Sequence, residues 1–373
     1  MRVAHITKST GIAGSERHLS LLLPGLRARG VKTCMLVLQD PGRPVTAWCR
    51  ALREGVDTVQ TIPVYAHFDP GLTFRLAQQL RAFQPDIVHT HLLHADLYGL
   101  TAARRAGVPH AVSSRHNQDA FRRNPLIKWL NRRAMRHAER VIAISASVAR
   151  FVSEVEGTPP ERVVTIYYGL DAPVSGPDDR DMTRLRLGLR DGDDPALIGF
   201  VGRLVHQKGA DLALEAFAKA RQRHPRSRLV IVGDGPERRR LEAQAERLAL
   251  TDSVIFTGWV DDASSLMPAF DMVVAPSRWE GFGLVILEAM GRSLPVIASQ
   301  AGAFPEIVAD EQTGLLVPSE SPDALANAME SLLGAPDRAA DMGRAGKIRL
   351  AESFSVGKMV DATLRVYEQI TTC

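Results

Sequence analysis

Thirteen short runs rich in β-branched residues recur along this chain, most of them followed by a longer stretch with helical spacing of its apolar positions. In the first half they read VAHI, TCMLVL, TVQTI, DIVHTH, HAVSS, RVIAIS and RVVTIYY; in the second, LIGFVG, RLVIVG, VIFTG, MVVAPS, PVIAS and GLLVP. Strands separated by whole helices pair in parallel and are covered by those helices on both faces. The pattern therefore predicts an α/β chain of two doubly wound, Rossmann-like domains. Helical stretches such as SERHLSLLLPGLRARG, FRLAQQLRAF and DLYGLTAARRAG lie between the first strands, and Pro24 inside the first of them argues against a straight helix. At 373 residues the chain exceeds one ordinary core. The Pro-, Gly- and Asp-rich stretch DAPVSGPDDRDMTRLRLGLRDGDDPA marks the seam. The expected division is a first domain over 1–173, a linker over 174–195, a second domain over 196–353, and a closing helix over 354–373 able to pack back on the first. Ligands of such sheets bind beyond the carboxyl ends of the strands, so the strand-to-helix loops of both domains are expected to face a central cleft.

Composition removes several function classes. Cys34, Cys49 and Cys373 are too few and too scattered for a disulfide scaffold or a zinc cluster, which points to a reducing compartment. The first residues hold too short an apolar run for a signal peptide, and no long apolar span follows. The expectation is a cytoplasmic protein, free or peripheral on the inner face of the cytoplasmic membrane. Charge is divided unevenly: residues 1–170 hold 23 Lys/Arg against 12 Asp/Glu, and residues 171–373 hold 23 against 30. A basic first half calls for an anionic partner, either a membrane surface or a phosphorylated acceptor. Recognition-helix spacing, basic repeats and aromatic platforms are missing, so nucleic acid is not expected.

The second-domain loops carry the sharper chemistry. FVGRLVHQKG places Arg203 after a strand and Lys208 before a helix beginning at Gly209. Two cations beside the free N–H groups of a helix start make an anion site; the plain alternative is two solvated side chains. VGDGP, with Gly235, is a tight turn that brings backbone close to a neighbour. In FTGWVDD, Trp259 and Val260 either line a base or pack an ordinary turn. RWEGFGLVILEAM sets Glu280 in a loop, the amides of Gly281, Phe282, Gly283 and Leu284 at a helix start, and Glu288 one turn further on. A carboxylate at 288 suits the paired hydroxyls of a ribose, and one at 280 can orient a hexose hydroxyl; the plain alternatives are a partly exposed helix residue and a helix-start charge. SQAGAFPEIV adds one more small-residue loop.

The first domain is less distinctive. TGIAGSERH offers a Gly11/Gly14 turn without the third glycine of a dinucleotide fingerprint. HTHLLHAD contributes His89, His91 and His94, and SSRHNQD contributes Arg115, His116 and Asp119. Two histidines two apart on a strand, with no carboxylate to complete a ligand set, favour hydrogen bonding over a metal. No metal is expected. His116 directly follows its strand and should reach the cleft. The stretch RRNPLIKWLNRRAMRHAER holds seven Lys/Arg and one Glu, with Leu126, Leu130 and Ala134 at i,i+4 spacing after Pro125. Its plain reading is an amphipathic helix with that stripe on the sheet. The other sets Trp129 and its cations, Arg132, Arg133 and Arg136 among them, against an anionic bilayer.

GRLVHQKG, VGDGP and the two glutamates eight apart in EGFGLVILE resemble the retaining GT-B glycosyltransferases of family 4, the glycosyl transferases group 1, over nearly the whole chain. The resemblance implies metal-independent transfer of a hexose from a nucleotide-sugar, UDP being the common base. The acceptor would be a hydroxyl of a glycan, lipid-linked or small-molecule compound in polysaccharide or glycoconjugate biosynthesis. No cofactor is implied, because the nucleotide-sugar is a substrate. Arg203 and Lys208 match the diphosphate clamp, Glu280 the residue positioning the sugar, Glu288 the ribose ligand, Gly14 the N-terminal glycine loop and His116 a histidine near the reacting carbon. Ser15, His91, His94, Arg115 and the Trp129 helix fall on the acceptor or membrane side. Two details depart from the family: GSE stands where a second glycine is frequent, and YYGLD, with Tyr168, where NGVD is commoner. A nucleotide-sugar epimerase on the same fold and a non-catalytic nucleotide-sugar-binding protein are the competing readings. The glutamate spacing opposes the first, and the presence of Lys208, Glu280 and His116 together opposes the second.

Overall fold

The computed structural model describes all residues except 12, 67, 119, 174–178, 190–193 and 373. Asp119, Cys373 and most of the proline- and aspartate-rich parts of the expected linker thus lie outside the described residues.

All thirteen expected strands form. β1 (Arg2–Lys8), β2 (Lys32–Gln39), β3 (Thr58–Pro63), β4 (Ile87–His91), β5 (His110–Arg115), β6 (Arg140–Ala143) and β7 (Val163–Thr165) make one parallel sheet in the order β3-β2-β1-β4-β5-β6-β7. β8 (Leu197–Val201), β9 (Arg228–Val232), β10 (Val254–Gly258), β11 (Met272–Ala275), β12 (Val296–Ser299) and β13 (Gly314–Val317) make a second in the order β10-β9-β8-β11-β12-β13. β7, at the sheet edge, is shorter than RVVTIYY suggests, and Tyr167 and Tyr168 run on beyond it. Each order reverses once, between β1 and β4 and between β8 and β11. In a doubly wound sheet that switch point opens the crevice in which ligands bind.

The chain divides into one unit of Met1–Gly169 with Ser355–Cys373 and a second of Leu170–Phe354. Leu170 already belongs to the second, its N–H donating to the Phe354 carbonyl at 2.8 Å. The helix Asp179–Arg186, inside the expected linker, is held there too: Arg180 and Arg184 both bind Asp271, at 2.8 and 3.1 Å. The last helix, Val356–Thr371, completes the first unit by packing against the helix Gly14–Ala28. Met359, Val360, Val366, Tyr367 and Ile370 share a buried cluster with Val3, Leu22, Leu26, Ile87 and Val112.

Strand periodicity then sorts the residues under those two helices. Side chains alternate between faces, and residues in parallel register point the same way. Val3, His5 and Thr7 of β1 share a face with Ile87, His89 and His91 of β4, since His5 pairs with His89 and Thr7 with His91. The face is apolar near the amino ends of the strands and carries imidazoles and hydroxyls toward the carboxyl ends. The opposite face, with Ala4 and Ile6, packs on Leu72, Leu76 and Leu80.

Candidate active site

In the second unit, the loops after β8 and β11 flank the switch point and are bound to each other by three side-chain links. Gln207 Nε2 donates to the Trp279 carbonyl at 2.9 Å. The Arg278 guanidinium forks onto Asp211 at 3.0 and 2.9 Å and also reaches the His206 carbonyl at 2.8 Å. Lys208 Nζ pairs with the Glu280 carboxylate. Burial pushes the Asp211 carboxyl up, but the Arg278 hydrogen bonds and charge outweigh it and hold the group below the ordinary carboxylate range. Such a pair fixes loop geometry, because a planar guanidinium meets a carboxylate in one orientation.

Backbone contact completes the nest. Gly209 opens the helix Ala210–Ala220 with φ +71, and a Cβ there would lie 2.1 Å from the Pro276 carbonyl oxygen. Gly302 is tighter still: a Cβ would fall 1.8 Å from the carbonyl oxygen of Glu280. Only glycine allows the loop after β12 to sit on the Glu280 backbone, which sets that carboxylate in place. The Gly235 turn packs on the Leu204 carbonyl, and the Leu204 N–H donates to Asp234 O at 2.9 Å.

The candidate residues fall into distinct positions. Lys208 and Glu280 are together, while Arg203 stands exposed in the same loop as Lys208. Gly281, Phe282 and Gly283 are buried and lead into the helix Leu284–Gly291, whose Gly283 cap has φ +101; Leu284 is half-buried. The Phe282 ring turns inward against Phe354, so backbone is what this residue offers a ligand. Glu288 is 6% exposed, so the plain reading of a partly exposed helix residue does not hold. Glu280, 9% exposed, is likewise no surface helix-start charge. Trp259 and Val260 follow β10, at the sheet edge two strands from β8, and Trp259 Nε1 donates to Asp261 at 3.0 Å.

In the first unit the carboxyl ends of β1, β4 and β5 carry a chain of imidazoles. His5 Nδ1 lies 3.0 Å from His91 Nε2, and His91 Nδ1 lies 3.1 Å from His116 Nε2. His116 Nδ1 meets the Tyr168 hydroxyl, and the Tyr168 ring stacks on His18 at 4.4 Å. Burial lowers His5 and His18 to about 3 and holds His89, His91 and His116 well below the ordinary imidazole range, so all five rings are neutral near pH 7. His116 therefore has both nitrogens engaged inside its own unit, and the ring is 5% exposed.

The acceptor-side candidates separate into buried and exposed groups. His91 is fully buried, and Arg115 is 1% exposed, its guanidinium on Asp96 at 2.7 Å and Glu156 at 3.0 Å. Those two carboxylates raise the Arg115 pKa despite its burial. Neither side chain offers the acceptor a surface, contrary to the expected side. His94 is half-buried beside Tyr98. Gly14 opens the first helix; Glu16 takes the Ala13 N–H at 3.1 Å and the Ser15 hydroxyl at 2.9 Å. The helix Pro125–Met135 buries Asn131, Ala134 and Met135 and turns Leu126, Trp129 and Leu130 outward, 64%, 59% and 38% exposed. Its plain reading, with Leu126 and Leu130 on the sheet, is thereby corrected: the buried face follows Asn131, which is held by Arg115 and Glu156. Arg132, Arg133 and Arg136 are exposed around it.

Sequence reasoning missed Arg278, Asp211, His5, His18 and Tyr367. Arg278 opens RWEGFGLVILEAM and Asp211 lies just past GRLVHQKG, but their link joins residues far apart in the chain. His5 is a lone histidine until the parallel register sets it beside His89.

Two family models cover most of the chain: glycosyltransferase family 4 over residues 12–172 and glycosyl transferases group 1 over residues 182–349. Among curated relatives, alpha-maltose-1-phosphate synthase of Mycolicibacterium smegmatis is 29% identical, with 100% of both chains covered. Alpha-D-kanosaminyltransferase of Streptomyces kanamyceticus is 30% identical over 74% of each chain. Among solved structures, Anabaena HepE in complex with UDP and glucose superposes with a TM-score of 0.86 at 24% identity, covering 99% of this chain and all of that one. That likeness establishes the GT-B fold.

Proposed function

We propose, from the premise that the chain belongs to glycosyltransferase family 4, that it transfers a hexose from a UDP-linked donor to an acceptor hydroxyl, with retained anomeric configuration and no metal at the phosphates. The observation that carries this reading is the nest at the second switch point: Lys208 paired with Glu280, Arg203 in the same loop, the glycine-led helix starts at Gly209 and Gly283, and Glu288 held in a buried helix. As the sugar–phosphate bond breaks, negative charge grows on the leaving diphosphate. Arg203, Lys208 and the amides of Gly281–Leu284 meet it with fixed positive charge and dipoles, the work a metal does elsewhere. Glu288 takes the ribose hydroxyls and Glu280 a hydroxyl of the sugar. The acceptor oxygen bonds to the anomeric carbon from the face the phosphate leaves, and its proton passes to a phosphate oxygen. UDP is favoured because HepE has been solved with UDP, UDP-glucose, and UDP with glucose.

The acceptor is read as lipid-linked. Leu126, Trp129 and Leu130 project outward among Lys128, Arg132, Arg133 and Arg136, the composition of a helix lying at an anionic interface. No helix among the described residues is long and apolar enough to cross a membrane, so contact would be peripheral. Mass spectrometry of nucleotide and glycoside, across a panel of nucleotide-sugars and of lipid-linked and soluble acceptors with EDTA present, tests the reading. Turnover with UDP-hexose and a lipid-linked acceptor is expected. Loss of turnover in EDTA, restored by Mg²⁺ or Mn²⁺ and not by Zn²⁺, would overturn the metal-free step, and turnover with soluble acceptors alone would overturn the lipid.

A further inference from the structure

The imidazole face of the first sheet holds more than the transfer reaction uses. His89 and His91 sit two apart on β4, and His5 lies opposite His89 in parallel register, so three rings rise from two neighbouring strands on one face. Their centroids are 5.0, 5.3 and 4.2 Å apart, and one ring nitrogen from each lies within 4.8 Å of the other two. All three are buried. The neighbours are those that orient ligating imidazoles: His89 Nε2 contacts Ser114 Oγ at 2.7 Å, and His91 Nδ1 contacts His116 Nε2 at 3.1 Å. From the last helix, the Tyr367 hydroxyl comes within 2.6 Å of His89 Nδ1 and 3.5 Å of His5 Nε2.

We propose that His5, His89 and His91 form a buried binding site for one transition-metal ion of the zinc or copper class, with the Tyr367 hydroxyl as fourth donor. Donor chemistry selects the class: neutral nitrogen ligands suit zinc and copper, whereas magnesium, calcium and manganese take oxygen. The proton lying between His5 Nδ1 and His91 Nε2 moves to His5 Nε2 when Nδ1 turns to the ion, and the proton shared by the Tyr367 hydroxyl and His89 Nδ1 is released as both atoms turn to it, one proton per ion bound. This site is separate from the transfer chemistry, whose diphosphate is assigned to residues of the other unit, so failure of either reading leaves the other standing. Its effect is architectural: β1, β4 and the last helix, which are brought together only in the folded unit, would share one ion.

The test uses the full chain, purified without a histidine tag, with metal content measured by plasma mass spectrometry. The chelator-treated protein is then titrated with Co²⁺, followed by its visible spectrum, and with Zn²⁺, followed by calorimetry and thermal melting. One ion per chain, a Co²⁺ spectrum of nitrogen coordination and a higher Tm with Zn²⁺ are expected. His5→Gln, His89→Gln and His91→Gln should each weaken Zn²⁺ binding by about 100-fold or more, and Ser114→Ala, outside the ligand set, by about 10–100-fold. Should a histidine variant fail to fold by near-ultraviolet circular dichroism, Ser114→Ala and Tyr367→Phe carry the comparison. His18→Gln, in the same cluster but outside the set, should keep the ion. No stoichiometric uptake by folded wild type overturns the proposal in favour of a purely hydrogen-bonded histidine chain. Undiminished uptake by the folded ligand and Ser114→Ala variants overturns it equally.

Discussion

Lys208 and Glu280 occupy each other, with side chains 22% and 10% exposed. Removing the lysine therefore does two things: it takes a cation from the leaving phosphate, and it strands a nearly buried carboxylate. Lys208→Ala should lower kcat by about 10²-fold, the usual effect of losing one preorganised stabiliser. It should also cost about 1–3 kcal/mol of stability, the upper end belonging to fully buried pairs. Adding Glu280→Gln should return most of the stability and none of the turnover; denaturant melts beside steady-state rates decide it. Glu288→Ala and Glu280→Ala separate in calorimetry. The first should weaken UDP and UDP-sugar alike, and the second should spare UDP, since only the donor carries the sugar; equal losses for UDP would reverse the roles. His18 offers a pH prediction. Burial lowers it to about 3 from an ordinary 6.5, so between those values the unfolded chain binds a proton that the folded chain refuses. Stability is full above the ordinary value and falls as pH drops through it, by up to about 1.4 kcal/mol per pH unit for this one group. His18→Gln should flatten Tm against pH between about pH 7 and 5; an unchanged slope would mean the ring is protonated in the folded state. At this scale legibility followed locality. Lys208, Glu280 and Glu288 sit in motifs that announce their chemistry, whereas His5 gains meaning only from β4, and Arg278 only from Asp211.

Elements were the most legible level, because burial on both faces of a parallel sheet leaves continuous apolar runs that a sequence displays openly. Every strand could be located, and parallel pairing follows from the alternation with helices, whereas the order of the strands in each sheet is set by contacts that the alternation does not encode. The exception is instructive. In the helix Pro125–Met135 the i,i+4 leucines suggested an inward stripe, yet the buried polar cluster of Arg115, Asp96, Glu156 and Asn131 claims the inner face and leaves Leu126 and Leu130 outside. Periodicity identifies an amphipathic helix without saying which stripe is turned to solvent when the core beneath it is ionic. The same exposure supports a prediction: the chain should sediment with vesicles containing anionic lipid at low salt and be released at high salt, as a basic surface requires. Changing Arg132, Arg133 and Arg136 together to Ser should weaken that binding. No sedimentation at low salt would return the helix to scaffold and favour a soluble, phosphorylated acceptor.

At the scale of the whole molecule, the first unit is assembled from two distant pieces, Met1–Gly169 and Ser355–Cys373, while the second is one continuous stretch. The sequence points to a closing helix over 354–373 able to pack back on the first domain, and the helix Val356–Thr371 lies against Gly14–Ala28 there. Residues 170–354 expressed alone should melt cooperatively. Residues 1–169 alone should not, since Val3, Leu22, Leu26 and Ile87 lose the Met359, Val360, Val366 and Ile370 surface that buries them. Adding the peptide 355–373 in trans should restore protection of β1 and β4 amides in hydrogen exchange; protection without the peptide would show the helix to be dispensable. The arrangement also has a meaning in time. A ribosome delivers the first unit's strands before the second unit, yet the helix that covers them follows the whole of the second unit. The half that emerges first is therefore the half that finishes folding second, and until that helix arrives its histidine face waits uncovered.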